Sequence, residues 1–260
     1  QTENKDCNNY ISAENVNDKS KIEDNKITII TVIRDKVQYN DLFVNNININ
    51  NNTLIYYDNS IDNIPITIRY NDFIENKMNE DTWLVFCHQD FEFCQEINSL
   101  LNKLDKSFIY GPIGATPRKF LNIYFRFDWK RLRKLKIGIS KRSVTIGEIG
   151  ENQKGKIVKV GKYLKNPKFV DTVDCCCLIV HSSLIKKHKL RFDEKLDWHL
   201  YSEDFSLNAK INHNVLTKAV QIESIHYSCG SFNIGFQYSL VYLKNKYNNI
   251  GFASTTFDAY

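Results

Sequence analysis

The segment Thr82-Trp-Leu-Val-Phe-Cys87 constrains this chain more than any other. Its six residues are uncharged and mostly large and apolar, with no alternation between apolar and polar. A strand with one wet face alternates; a strand apolar throughout is covered on both faces, as an inner strand of a parallel sheet is. The run ends at His88-Gln-Asp90, so polar side chains stand immediately beyond its carboxyl end.

Comparable runs come before and after it. Lys26-Ile-Thr-Ile-Ile-Thr-Val-Ile33 is β-branched almost throughout, and Thr53-Leu-Ile-Tyr-Tyr57 ends in Asp58-Asn59. Between them Tyr39, Leu42, Phe43 and Ile47 recur at helical spacing. After Pro65, Ile66-Thr-Ile-Arg69 reads as a short third strand and residues 71–80 as a helix. Beyond Asp90, Phe93, Ile97, Leu100, Leu101 and Leu104 make one helix face, and Ser107-Phe-Ile-Tyr110 reads as a strand closed by Gly111-Pro112. Alternating strand and helix predict βαβ units in an α/β fold, a mostly parallel Rossmann-like sheet flanked by helices. Ligands of such sheets bind at the carboxyl ends of strands, where Asp58 and Asp90 fall.

The second half reads differently. Residues 126–142 carry Arg126, Lys130, Arg131, Arg133, Lys134, Lys136, Lys141 and Arg142 against one acid, Asp128. Glycines and alternation over 147–161 suggest hairpins. Val170–Val180 reads as a strand holding Asp171 and Asp174, 182–188 as a short helix, 202–212 as a helix, 215–225 as a strand and 237–246 as a helix. The expected organisation is a polar, flexible leader over 1–25, one domain over 26–235 with halves 26–115 and 116–235, and a C-terminal helix and tail over 236–260.

Composition narrows the classes. The chain has 260 residues and a net charge of +5, too modest to argue for nucleic acid, and no nucleic-acid-binding module is recognisable. Its seven cysteines include the adjacent Cys175, Cys176 and Cys177 but no Cys-x-x-Cys pair, so neither a disulfide framework nor a zinc knuckle is expected. No apolar run approaches the roughly 18 residues of a membrane span, and no secretory signal is visible. The expectation is a cytoplasmic protein with reduced thiols. The basic run is a solvated face, a site for an anionic acceptor, or a dock for an anionic membrane aided by Phe125, Phe127 and Trp129.

The order of motifs resembles a family: Thr31-Val-Ile33, Tyr57-Asp-Asn59, Tyr70-Asn71, Trp83 to His88-Gln-Asp90, Gly111-Pro-Ile-Gly-Ala115, Val173-Asp174, Leu190-Arg-Phe-Asp-Glu194, Tyr201-Ser-Glu-Asp204 and His226-Tyr-Ser-Cys-Gly-Ser231. The series is similar to family-2-type glycosyltransferases with His-Gln-Asp in place of Asp-x-Asp. The resemblance implies a GT-A fold, a nucleotide-sugar donor, a glycan or lipid-linked acceptor, a divalent cation (Mn²⁺ or Mg²⁺), and transfer with inversion. It departs from the family in Thr31-Val-Ile-Arg-Asp35 and in the Cys175–Cys177 triplet. Other nucleotide enzymes usually carry a glycine-rich loop after the first strand; Ile33-Arg-Asp-Lys36 has none. The alternative is an inactive sugar-nucleotide-binding or scaffold module of a larger protein.

Each candidate residue has a bland reading beside the functional one. Asp90 is a metal ligand or a helix cap, with His88 and His226 as further ligands or as structural histidines. Asp58 touches the nucleotide or makes a local turn; Thr31, Asn59, Asn71 and Gln89 complete the expected nucleotide set. Asp204 is the expected general base and Glu203 the second candidate, although acids after Ser202 also suit a helix start. Asp174, interrupting an apolar strand, is assigned to acceptor or donor-sugar hydroxyls. Gly111 and Gly114 either admit the sugar or only make a turn.

Overall fold

A computed structural model describes residues 26–126, 134–228, 233–248 and 250–256, with the backbone alone for 26, 119–126 and 134–141. The chain runs β1 (Lys26–Ile33), α1 (Lys36–Tyr39, continued by a π turn over Asn40–Val44), β2 (Thr53–Asp58), α2 (Ile66–Asn76), β3 (Thr82–His88), β4 (Phe91–Phe93), α3 (Asn98–Leu101), β5 (Ile109–Gly111) and β6 (Ile113–Arg126). It continues with β7 (Lys134–Gln153), β8 (Lys156–Lys162), β9 (Lys168–Val170), β10 (Thr172–Val173), β11 (Cys177–His181), α4 (Ser182–His188), α5 (Tyr201–His213), β12 (Thr217–Ala219), β13 (Ser224–His226) and α6 (Ile234–Lys246).

The fold is α/β, built on two mixed sheets rather than one mostly parallel sheet. The first has the order β2-β1-β3-β11-β5-β12-β9. Its parallel block is β2-β1-β3, and β11 then pairs antiparallel with both β3 and β5. The strand before β11, β10, lies in the second sheet, so β11 enters the first sheet from the second and not through a βαβ crossover. The second sheet, β10-β6-β7-β13-β4 with β8 on β7, is antiparallel except for β7-β13.

β3 is the most enclosed strand, with Trp83 through Cys87 at 0–1 % exposure, as its unbroken apolar run requires. One hydrophobic cluster lies on each side of this sheet. Tyr70, Phe73, Phe86, Phe192 and Phe205 belong to one, and Tyr39, Phe43, Trp83, Phe91 and Phe93 to the other.

Several local expectations change. Ile66–Asn76 is a single helix starting directly after Pro65. Ile66, Tyr70, Phe73 and Ile74 are buried at spacings of four, three and one, so packing overrides the β-branched Ile-Thr-Ile start. Phe93–Leu104 is no continuous helix: Phe91 and Phe93 alternate inward on β4, and α3 covers one turn. Ile47 is 78 % exposed, off the expected apolar face. The strand expected over 170–180 is broken, with Asp174 in the turn between β10 and β11, and that expected over 215–225 is divided between β12 and β13 in different sheets.

The expected hairpin is present, β7 and β8 turning at Lys154 and Gly155 with φ of +55° and +83°. β6 and β7 pair from Ile113 with Gly147 out to Arg126 with Lys134. Residues 127–133, with Lys130, Arg131 and Arg133 of the basic run, lie outside the described residues, as does the leader expected over 1–25. No helix among the described residues is long and apolar enough to cross a membrane.

Candidate functional site

Two sheets meet at the end of β3. Parallel register puts Ile33 beside Asp58 and Val32 beside His88, so β1, β2 and β3 present their carboxyl ends on one edge. In the second sheet β13 pairs with β4, aligning His226 with Phe91, and the Tyr227 N–H donates to the Asp90 carbonyl at 2.9 Å. The ladder thus brings His226 to Asp90 and to His88, which is 138 residues away in sequence.

The ligating atoms of His88, Asp90 and His226 lie within 4.8 Å of one another, a group able to hold a metal ion. His226 Nε2 is 3.3 Å from His88 Nδ1 and 3.3 Å from Asp90 Oδ1, with Ser228 Oγ at 3.1 Å. The His88 tautomer follows from its other nitrogen. Tyr201 Oη donates to the Cys175 carbonyl at 2.9 Å, so at 2.9 Å from His88 Nε2 it must accept from that nitrogen. The Nε2 proton is thereby engaged, and the Nδ1 lone pair faces the cluster. Burial, and then the charge of His226, push His88 down to about 4, so it is neutral at neutral pH. Burial works against ionisation of Asp90, but the His226 hydrogen bond and charge outweigh it and hold the carboxyl well below the usual range. The same pairing raises His226 despite its burial.

Beside the cluster is a cavity of about 390 Å³, lined by His88, His226, Asp174, Glu203, Trp198 and Phe236 among others. The loop before α5 delivers Trp198, His199 and Leu200 to it. Leu200 has φ +59°, a left-handed backbone that costs an L-residue of this bulk about 1–2 kcal/mol. Ser202 is not the cap of α5: the helix begins at Tyr201, and Ser202 lies in its first turn.

The two acids of α5 part company. Glu203 lines the cavity, and its pKa is raised to about 7 by burial and then by the Asp174 charge, opposed by hydrogen bonds from Ser254 and Cys175. Asp204, the expected base, is not among the cavity-lining residues. It accepts from Lys246 Nζ at 2.7 Å and Tyr247 Oη at 2.9 Å, fastening α6 to α5. Asp204→Asn is therefore expected to lower stability by about 1–2 kcal/mol in urea unfolding, because Lys246 keeps Asp193 at 2.6 Å, and to leave nucleotide binding unchanged.

Asp174 lines the cavity from the turn before β11. Its Oδ1 accepts from the Cys176 N–H at 2.9 Å and its Oδ2 from Thr255 Oγ1. Burial opposes its ionisation, yet these bonds and the His226 charge lower its pKa. Gly111 and Gly114 do not line the cavity. A Cβ on Gly111 would lie 2.8 Å from Val173, and one on Gly114 would lie 2.4 Å from the Thr172 carbonyl, so both glycines serve close strand packing.

Most of the expected nucleotide set is engaged by the protein. Thr31 is fully buried with its hydroxyl 3.6 Å from Cys87 Sγ. Asn59 donates to the Ile64 carbonyl and accepts from Arg69 Nε. Asn71 bridges α2 to the 192–194 loop, donating to the Phe192 carbonyl and Glu194 and accepting from the Phe192 N–H. Gln89 Oε1 accepts from the Arg34 and Asp35 N–H groups, shaping the loop after β1. Asp58 is exposed and accepts from the Ser60 N–H at 2.8 Å, the turn reading of that residue; hydrogen bonding by the Ser60 side chain and then by its N–H lowers the Asp58 pKa.

Sequence reasoning missed Tyr201, which sets the His88 tautomer, the Arg34 guanidinium stacked 4.8 Å over Trp198, and the hydroxyls of residues 254–256. None carries a local signature; a tyrosine before Ser-Glu-Asp reads as a core residue. Comparison with models of known protein families gives no match, and comparison with curated proteins gives none.

Proposed function

We propose that this chain is a GT-A-type glycosyltransferase that moves a sugar from a nucleoside diphosphate donor to an acceptor hydroxyl, with Glu203 as general base and His88, Asp90 and His226 as the cation site. The observation that carries this reading is the convergence on one cavity of a carboxyl group poised near neutrality and the two histidines of a His-Asp-His cluster, at the carboxyl edge of three parallel strands. The order of sequence motifs supports the same reading.

Two imidazole nitrogens and one carboxylate oxygen suit a cation that accepts nitrogen as well as oxygen, so Mn²⁺ fits better than Mg²⁺, which prefers oxygen alone. Such a cation would supply charge to stabilise the departing diphosphate. Tyr201 holds His88 with its lone pair facing that position. Glu203 takes the acceptor proton as the acceptor oxygen bonds to the anomeric carbon and the bond from that carbon to the diphosphate oxygen breaks. With nucleophile and diphosphate on opposite faces, the centre inverts. Asp174 orients a sugar hydroxyl, and Trp198 and Phe236 offer apolar faces to the acceptor, a saccharide or lipid-linked saccharide. In the lipid-linked case the basic run over 126–142 would supply the contact with an anionic membrane on the cytoplasmic side.

UDP or GDP with Mn²⁺, at about 100 times Kd, is expected to stabilise the fold by about 2.7 kcal/mol and raise Tm by roughly 5–10 °C. No shift with any of the common nucleoside diphosphates would sink the donor site. A shift without turnover of any donor in a nucleotide-sugar panel would favour the binding-module alternative.

A further inference from the structure

After α6 the chain returns to the site. Phe252 is buried in the core with its ring 6.2 Å from that of Tyr247. Ala253 is buried beside Ala115, and its carbonyl accepts from Thr172 Oγ1 at 2.6 Å. The Ser254 N–H donates to Ser143 Oγ at 3.3 Å. These contacts fix the segment on β6, β7 and β10 through its backbone and apolar side chains.

Its hydroxyls then address two of the acids that line the cavity. Ser254 Oγ donates to Glu203 Oε1 at 2.7 Å, and Thr255 Oγ1 donates to Asp174 Oδ2. The direction of the first bond follows from the carboxylate. An ionised Glu203 can only accept, so it takes the Ser254 proton, while the Thr256 N–H donates to Ser254 Oγ at 3.2 Å and Thr256 Oγ1 is a further 2.8 Å neighbour. A wall alone needs only shape, which Ala or Val would provide. Thr255 and Thr256 also line the cavity, so the segment is part of its surface.

We infer that Ser254 and Thr255 are positioning residues of the site, holding the Glu203 and Asp174 carboxyl groups so that a substrate hydroxyl meets each in one orientation. The inference rests on the transfer function proposed above. The groups facing Glu203 are Asp174 from the β10–β11 turn, Cys175 beside it, whose Sγ donates to Oε2 at 3.2 Å, and Ser254. Burial and Asp174 favour the neutral acid, while Ser254 favours the carboxylate. Loss of the Ser254 donor therefore moves the Glu203 titration to higher pH.

The test is a carbon-13 NMR titration of the full chain with labelled glutamate side chains, the Glu203 resonance being the one lost in Glu203→Gln. In Ser254→Ala its midpoint is expected to rise by about one pH unit, the shift that one hydrogen bond to a charged group supports, and Ser254→Thr should restore it. With a donor in hand, Ser254→Ala should move the acid limb of the rate profile by the same amount without changing the UDP–Mn²⁺ thermal shift. Thr255→Val should lower kcat about tenfold at unchanged donor KM, with Thr255→Ser close to wild type. If Ser254→Ala does not fold, Ser254→Cys, with its weaker donor, serves the same comparison. An unshifted midpoint in a folded variant overturns the inference whether or not transfer is observed; absence of turnover in the wild type counts against the transfer reading and leaves the titration result standing.

Discussion

Glu203→Gln is expected to lower sugar transfer by roughly 10³-fold, the scale of a lost general base, while making the fold more stable at alkaline pH. Both effects come from the same burial. Glu203 is 1 % exposed, and burial followed by the Asp174 charge raises its pKa to about 7 from 4.5. Below pH 4.5 both folded and unfolded chains carry the proton, and the stability contributed by the neutral acid is complete. Between pH 4.5 and 7 the unfolded chain ionises first, so that contribution is lost as pH rises through the folded pKa, a total of about 3 kcal/mol. Gln keeps the shape of the neutral acid and titrates nowhere. Urea unfolding at pH 4.5 and pH 8 should therefore show the variant ahead of wild type only at pH 8. The wild-type rate should climb through pH 7 as the base ionises. Full turnover in Glu203→Gln would remove the residue from the mechanism.

His226→Ala carries the second large effect. The ligating atoms of the carboxylate and the two imidazoles lie within 4.8 Å of one another, and if they hold Mn²⁺ as proposed, losing one of three protein ligands is expected to weaken its binding by about 100-fold or more. Asp90→Asn should do the same. Tyr201→Phe, which removes the partner of the far nitrogen of His88 and leaves the ligating nitrogen in place, should cost about 10-fold or somewhat more by freeing the tautomer. His226 must release its proton to ligate, and Asp90 raises its pKa, so affinity for Mn²⁺ should rise with pH through that titration. Calorimetry with Mn²⁺, Zn²⁺ and Mg²⁺ at two pH values reads all of this. Equal binding by wild type and His226→Ala would dismantle the site.

The candidate site was legible in part. Asp90 and His88 stand out because a doubly covered strand can end only where the sheet meets solvent. Glu203 and Asp204 stand out as acids at a helix start. Which of the two faces the cavity was not legible, because adjacent helical positions point about 100° apart and only the packing of α5 says which direction is the cavity. Thr31, Asn59, Asn71 and Gln89 show the limit of reading polar residues near strand ends. A buried polar group needs a partner, and its type does not say whether a ligand or the backbone supplies it. Here the protein occupies them, Asn71 with three bonds to the 192–194 loop.

The sequence by itself determined the strands over 26–33, 53–57 and 82–87, their parallel pairing and the edge where Asp58 and Asp90 emerge, while their order β2-β1-β3 came from the tertiary structure. The strands and their edge follow from apolar runs and their ends, which are local. The tertiary structure alone decided that β11 reverses the sheet, that β13 pairs with β4 and so brings His226 to Asp90, and that residues 254–256 close on Glu203 and Asp174. Strand pairing and hydrogen bonds across 50 to 140 residues depend on which surfaces remain after the local elements form, and no short stretch of sequence encodes that choice.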